Sequence, residues 1–143
     1  MKALSIWQPW AHFILHDAKR VENRTWYTGY RGPLLLHASK RIDEDEMEWL
    51  LYEHPELADM PRGAIVGRCT LYGCVRRDAV PPEQREWANG PWCWLLAEVE
   101  AFTPVPYRGR QGLFDVLEDQ WRGAIAEERR ANEPVASPDG ERT

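Results

Sequence analysis

The stretch Ala3–Lys40, ALSIWQPWAHFILHDAKRVENRTWYTGYRGPLLLHASK, decides the reading of the chain. Ala3-Leu4-Ser5-Ile6-Trp7 alternates and reads as a strand. Gln8-Pro9 breaks it, and proline suits the first turn of a helix because its missing N–H has no partner there. Trp10, Phe13 and Ile14 then stand at i, i+3 and i+4, one face of a short helix ended by His16-Asp17-Ala18. Val21–Tyr27 predicts a second strand, in which side chains two apart share a face. Glu22, Arg24 and Trp26 fall on one side, and Val21, packed inward, with Asn23 and Thr25 on the other. Three consecutive leucines in Leu34–Ser39 predict a strand covered on both faces.

Beyond this stretch, Ile42–Glu53 predicts a helix with an acidic, solvated face and an apolar stripe at Met47, Leu50 and Leu51. Gly63–Val75 predicts a long strand whose glycines mark bulges, corners or close backbone approach. Pro81–Trp87 reads as a short helix. Trp92–Phe102 reads as a strand ended by Pro104-Val105-Pro106, with Trp92 and Trp94 as core. Tyr107–Phe114 is loop and short strand, and Asp115–Arg130 a final helix carrying Val116, Leu117, Trp121 and Ile125 on one side. Residues 1–130 form one domain, and the polar composition of 131–143 predicts a disordered tail. Five or six strands with few crossovers favour an α+β mixed β-barrel with flanking helices.

The net charge of −5 excludes a protein that coats nucleic acid through phosphate contacts alone. The charge is unevenly spread, however. Between Asp17 and Arg41 six basic residues face two acids. A basic patch on an acidic chain suits a focused site for one or a few nucleotides. The eight tryptophans exceed what a core of this size needs, and indoles also stack on bases. Three cysteines without a CxxC pair predict reduced thiols in a cytoplasmic protein, Cys69 and Cys74 as core fillers. No signal peptide or membrane-length apolar run is visible.

Lys19-x-x-Glu22-x-Arg24, preceded by Leu4-Ser5-Ile6-Trp7-Gln8-Pro9-Trp10-Ala11 and followed by His37-Ala38-Ser39-Lys40, resembles the ASCH domain family of the PUA-like superfamily of small β-barrels. The family signature is G-x-K-x-x-E-x-R, and Asp17 stands where it carries glycine. The resemblance spans roughly Ala3–Leu117. It implies recognition of RNA, single-stranded DNA or a modified nucleoside, centred on Lys19, Glu22 and Arg24. Trp7, Gln8, Trp10 and Trp26 are the base-contacting candidates, with His37, Ser39 and Lys40 on the rim and Arg108 and Arg110 as phosphate contacts. By residue chemistry Glu22 can accept from an exocyclic amine as carboxylates do from cytosine, although an idle Glu22–Arg24 or Glu22–Lys19 pair fits the same spacing. Gln8 reads equally as a helix cap, and His37 as a half-buried histidine bonded to backbone.

Some relatives of this kind are amidohydrolases acting on acylated cytidine. They place Thr where Glu22 stands here and use a further Glu, for which Glu83, Glu86 and Glu98 are the candidates. As an enzyme the chain would use Lys19 and Glu22. A metal-independent ribonuclease built on Lys19, Arg24 and Lys40 is a further alternative, and a peptide-binding aromatic cleft a third. No cofactor or metal is implied.

Overall fold

The computed structural model describes residues 1–131 and 133, the side chains of 126–129 excepted. The expected disordered tail falls almost wholly on residues outside this set. Six strands form one mixed sheet: β1 (Lys2–Gln8), β2 (Val21–Arg24), β3 (Gly32–Ile42), β4 (Ala64–Val75), β5 (Trp92–Pro106) and β6 (Leu113–Asp115). Their order is β2-β5-β4-β3-β1-β6. Only β1 and β3 run parallel, and α1 (Trp10–His16) and β2 lie between them in the chain. The helices α2 (Glu44–Glu53) and α3 (Arg122–Ala131) complete the α+β fold. No helix among the described residues is long and apolar enough to cross a membrane.

The sheet curls because its two longest strands are bulged. Register shifts interrupt the β4–β5 ladder at Ile65/Gly67, Arg68/Thr70 and Leu71/Gly73. Each bulge bends its strand and raises the local twist. The glycines fall at these breaks, as expected. A β-carbon on Gly67 would lie 2.6 Å from the Glu100 carbonyl and 2.4 Å from Leu15 Cδ2, so α1 and β5 close on this point. The curl does not become a hydrogen-bonded ring, and β2 and β6 remain the two ends of the ladder. The barrel is completed by side chains instead.

Leu34, Leu35 and Leu36 are fully buried, and they divide between two cores as their alternation requires. Leu34 and Leu36 join Leu4, Ile6, Ala11, Ile14 and Trp94 inside the curl. Leu35 joins Ala3, Phe102, Phe114, Trp121 and Ile125 on the outer face, under α3. A smaller cluster of Val21, Val80, Ala88, Cys93 and Leu95 lies beneath the 3₁₀ turn Pro82–Trp87.

Three boundaries and the facing of β2 differ from expectation in ways that bear on the site. β2 stops at Arg24, where the chain bends through Thr25 and Trp26. Val21 is buried, but in the outer satellite cluster; Glu22 faces inward instead, opposite Trp94. β5 runs on through Pro104 to Pro106, because the β2 ladder covers only Trp92 to Leu95 and, among the described residues, no strand pairs with that edge at the prolines. The last helix starts at Arg122: Val116 donates to the Met1 carbonyl and so extends the β1 edge, while Leu117 is exposed.

Candidate nucleic-acid interface

The turn after α1 delivers Lys19, Glu22 and Arg24 into the interior of the curl. Arg20 holds that turn by donating to the carbonyls of Ile14, Asp17 and Lys19. Gln84, from the 3₁₀ turn, clamps it from the other side through Arg20 N–H and the Ala18 carbonyl. Asn23 donates to the Trp87 carbonyl and accepts from the N–H groups of Asn89 and Gly90. The outer face of β2 is therefore fully engaged, and its inner face carries the charges.

Lys19 is 1% exposed. Its ammonium donates to the Val21 carbonyl and to Glu22 Oε1 at 3.4 Å, and lies 5.8 Å from the centre of the Trp10 ring. Burial lowers its pKa, and the neighbouring Glu22 carboxylate opposes that shift. Glu22 Oε2 meets Arg24 Nη2 at 3.3 Å. The same Nη2 donates to the Ser5 carbonyl at 2.5 Å. Since Ser5 lies on β1, four places along the ladder from β2, the guanidinium bridges the gap that the backbone leaves open. Arg24 Nε is buried without a hydrogen-bond partner.

Trp26 joins this group through the bend rather than through strand alternation. Its carbonyl accepts from Trp94 Nε1 at 3.3 Å, and its ring stands edge-on to Trp94 with centroids 4.7 Å apart. Trp94, a core residue as expected, is thus also the floor under Trp26. Trp10 reaches the group from α1 and donates to Asp43.

The other candidates lie elsewhere. The Gln8 amide is spent on the chain, accepting from His12 N–H and donating to the Pro61 carbonyl. His37 belongs to the outer face. Its Nδ1 accepts from Ser5 Oγ and its Nε2–H donates to the Tyr107 carbonyl, both at 2.6 Å. Burial lowers its pKa, against the opposing effect of the Tyr107 bond. The Tyr107–Gly112 loop rides on this pair, with Gly109 pressed against Ser5 Oγ and the His37 ring, so Arg108 and Arg110 are exposed on either side of it. Trp7 is exposed with the Arg41 guanidinium over its ring at 5.9 Å. Lys40 is exposed, its stem against Gly63, and the Ser39 hydroxyl accepts from Arg41 N–H. Glu83, Glu86 and Glu98 are all exposed, and among the described residues only Glu22 pairs with Lys19.

Ser5 is the residue that sequence reasoning missed. Its carbonyl takes Arg24 on one side and its hydroxyl takes His37 on the other. The signal was present, as the one hydroxyl in an otherwise apolar strand. Trp92 was read only as core, yet it pairs with Arg24 across the strands and carries the Arg76 guanidinium 4.1 Å above its ring.

The profile described as ASCH domain matches residues 4–129. Activating signal cointegrator 1 from Homo sapiens is 32% identical over 134 residues, 85% of this chain and 23% of that protein. The Mus musculus protein of the same name is 36% identical over 81 residues, 50% of this chain and 14% of that protein. The chain thus spans less than a quarter of the length of the curated relatives it matches. Among solved structures, a point mutant of the Zymomonas mobilis ASCH protein superposes with a TM-score of 0.54 at 14% identity, covering 88% of this chain and 94% of that one. The ASCH structure from the same organism gives 0.50 at 12% identity, covering 87% and 93%.

Proposed function

Since this chain belongs to the ASCH domain family, we propose that its Lys19–Glu22–Arg24 site binds nucleic acid, as single-stranded RNA or DNA or as a modified nucleoside. The observation that carries the reading is the state of Arg24. Its guanidinium is pinned by Glu22 and Ser5, its side chain is 24% exposed and its Nε lacks a partner, while Trp26, two residues on, stands edge-on to Trp94, which pairs with Glu22 across the strands. A planar donor held rigidly next to an indole suits a base that stacks on the ring and presents a carbonyl to the guanidinium. Glu22 is the matching acceptor for an exocyclic amine. Glu22 sits where water is largely excluded, which strengthens the hydrogen bonds it makes.

Few cations of the motif segment itself remain for a backbone. Arg20 and Arg31 are spent on carbonyls of their own loops, which leaves Lys40, Arg41, Arg108 and Arg110 exposed around the site's elements. This favours a short ligand read by its base. The test is a panel of plain and acylated nucleosides and short single-stranded oligonucleotides, with Trp26→Ala and Arg24→Ala beside the wild type. Loss of a stacking platform costs about 1–3 kcal/mol, so Trp26→Ala weakens binding roughly 5- to 150-fold. The reading fails if the wild type retains nothing, or if both variants bind as the wild type does.

One observation favours a second reading, hydrolysis of an acylated cytidine. The lowered pKa of Lys19 raises its neutral fraction, and a neutral amine can act as base or nucleophile. Against it, the ammonium is fully enclosed and, among the described residues, no second carboxylate pairs with it. Loss of an acyl mass from the panel, abolished in Lys19→Met, would select this reading over simple binding.

A further inference from the structure

The cavity walled by Arg76, Arg77, Asp78, Arg85 and Pro91 has a volume of about 550 Å³ and belongs to no site described above. We propose that it is a phosphate-binding subsite for the backbone of a single nucleic-acid strand whose base occupies the Arg24 site. The inference rests on the reading of that site as a nucleic-acid site.

Three features support it. The first is charge: three guanidiniums share one concave wall with a single carboxylate, and none of the three forms an ion pair among the described residues. Guanidiniums crowded in this way repel one another, and an anion relieves the repulsion. Each offers a planar fork matched to two phosphate oxygens.

The second feature is continuity. Arg76 lines the cavity and also lies over the Trp92 ring, which meets Tyr27 at 5.0 Å and pairs across the strands with Arg24. Pro91, on the cavity wall, precedes Trp92 in the chain. Adding one Cα step to one cross-strand step puts the wall within about 10 Å of Arg24. A strand leaving the base site therefore passes Trp92 and reaches the arginines within about one or two nucleotides. With its face covered by Trp92, Arg76 keeps its edge N–H groups for an anion.

The third feature is rigidity. The segment that carries Arg77 and Arg85 is the same one that clamps the motif through Gln84 to Arg20 and Ala18, and through Asn23 to Trp87, Asn89 and Gly90. Cavity and base site are thereby held in fixed register. An extended ligand can engage both without ordering either.

The probe is a fluorescently labelled single-stranded RNA of about 12 nucleotides, within the site sizes single-strand binders cover. Binding is followed by anisotropy from about 50 to 200 mM salt. The variants are Arg77→Glu/Arg85→Glu, the length-preserving Arg77→Gln/Arg85→Gln, and the charge-preserving Arg77→Lys/Arg85→Lys. Both residues are exposed, and circular dichroism confirms that each variant folds. The Glu and Gln pairs are expected to bind at least about tenfold more weakly at low salt. Their log–log salt slope falls by about 1.4, the share of two single-strand phosphate contacts, whereas the Lys pair keeps the slope. Trp26→Ala weakens binding with the slope unchanged. If the Gln pair retains wild-type affinity and slope while Trp26→Ala weakens binding, the subsite is refuted and the base site stands. If the wild type does not bind the RNA or its DNA counterpart, the subsite is refuted, and the base site falls with it if no nucleoside of the panel is retained either.

Discussion

Glu22→Gln removes one charge from the buried triad and leaves its shape nearly intact. The Lys19 side chain is 2% exposed and that of Glu22 10%, so this is a buried pair. Removing one partner of a buried pair costs about 3–5 kcal/mol, because the other charge is stranded. The lower end applies here. Both Glu22 contacts are long, at 3.4 and 3.3 Å, and Arg24 keeps access to water. The expected loss at pH 7 is thus about 3 kcal/mol, or roughly 10 °C in Tm for a domain of this size. The loss depends on pH. Burial holds the folded Lys19 pKa below its ordinary value of 10.5, so the unfolded chain binds more protons between the two values and stability rises with pH across that interval. The penalty is complete below the folded pKa and gone above the unfolded one. Without Glu22, which pushes the folded pKa up, the interval extends downward. The gap between wild type and Glu22→Gln therefore narrows, and never widens, as pH rises toward 10.5. Thermal unfolding followed by circular dichroism at several pH values reads this directly. Adding Lys19→Met removes the stranded charge and restores most of the loss at pH 7. An unchanged Tm for Glu22→Gln at pH 7, or a gap that widens with pH, would refute the reasoning.

The packing of α1 on the bulged β4 makes Gly67→Ala destabilising by about 2–3 kcal/mol: Leu15 can turn away from the new methyl, but the Glu100 carbonyl cannot. Urea unfolding should show a lower midpoint at an unchanged m-value. The three cysteines are buried and unpaired, and burial pushes the Cys69 thiol up to about 12. A thiol reagent at about pH 8 is expected to leave the native protein unlabelled and to modify all three in denaturant. Burial lowers the His37 pKa below 6.5, so the unfolded chain binds more protons there and stability falls as pH drops through and below that value. His12 acts in the same direction, so His37→Gln is expected to flatten this acid limb in part, measured by chemical denaturation between about pH 7 and 5.

Side-chain alternation made most of the fold legible before any coordinates. It separated Leu34 and Leu36 from Leu35, and those residues do feed different cores. It placed Glu22 and Arg24 on one face, where they do form a pair. It misplaced what depends on pairing partners rather than on local pattern. β5 passes two prolines because, among the described residues, no strand pairs with its far edge there, and no residue within β5 announces that. Val116 and Leu117 fit a helical stripe, but the Met1 carbonyl and the β1 edge hold Val116 extended. Alternation put Trp26 on the face of Glu22 and Arg24, but the strand ends at Arg24 and the bend after it sets Trp26 against the Trp94 indole instead. The basic wall of Arg76, Arg77 and Arg85 was invisible because its members are spread over ten residues and gathered by turns.

The seam between β1 and β2 explains why the Lys19–Glu22–Arg24 motif also belongs to the fold. A curled sheet whose ends do not pair leaves backbone groups unsatisfied, and the Ser5 carbonyl is one of them. Arg24 satisfies it, and Glu22 with Lys19 supports Arg24, so the charges proposed to read a base also close the barrel. The departure from the family signature at Asp17 is consistent with this. Asp17 has φ −137° and ψ −166°, extended backbone that any residue adopts, and its carboxylate accepts from Ala18 N–H. No left-handed turn is required to bring Lys19 into place, so nothing in this turn demands glycine. What the turn does require is that Arg20 and Gln84 hold it from both sides, and both are present.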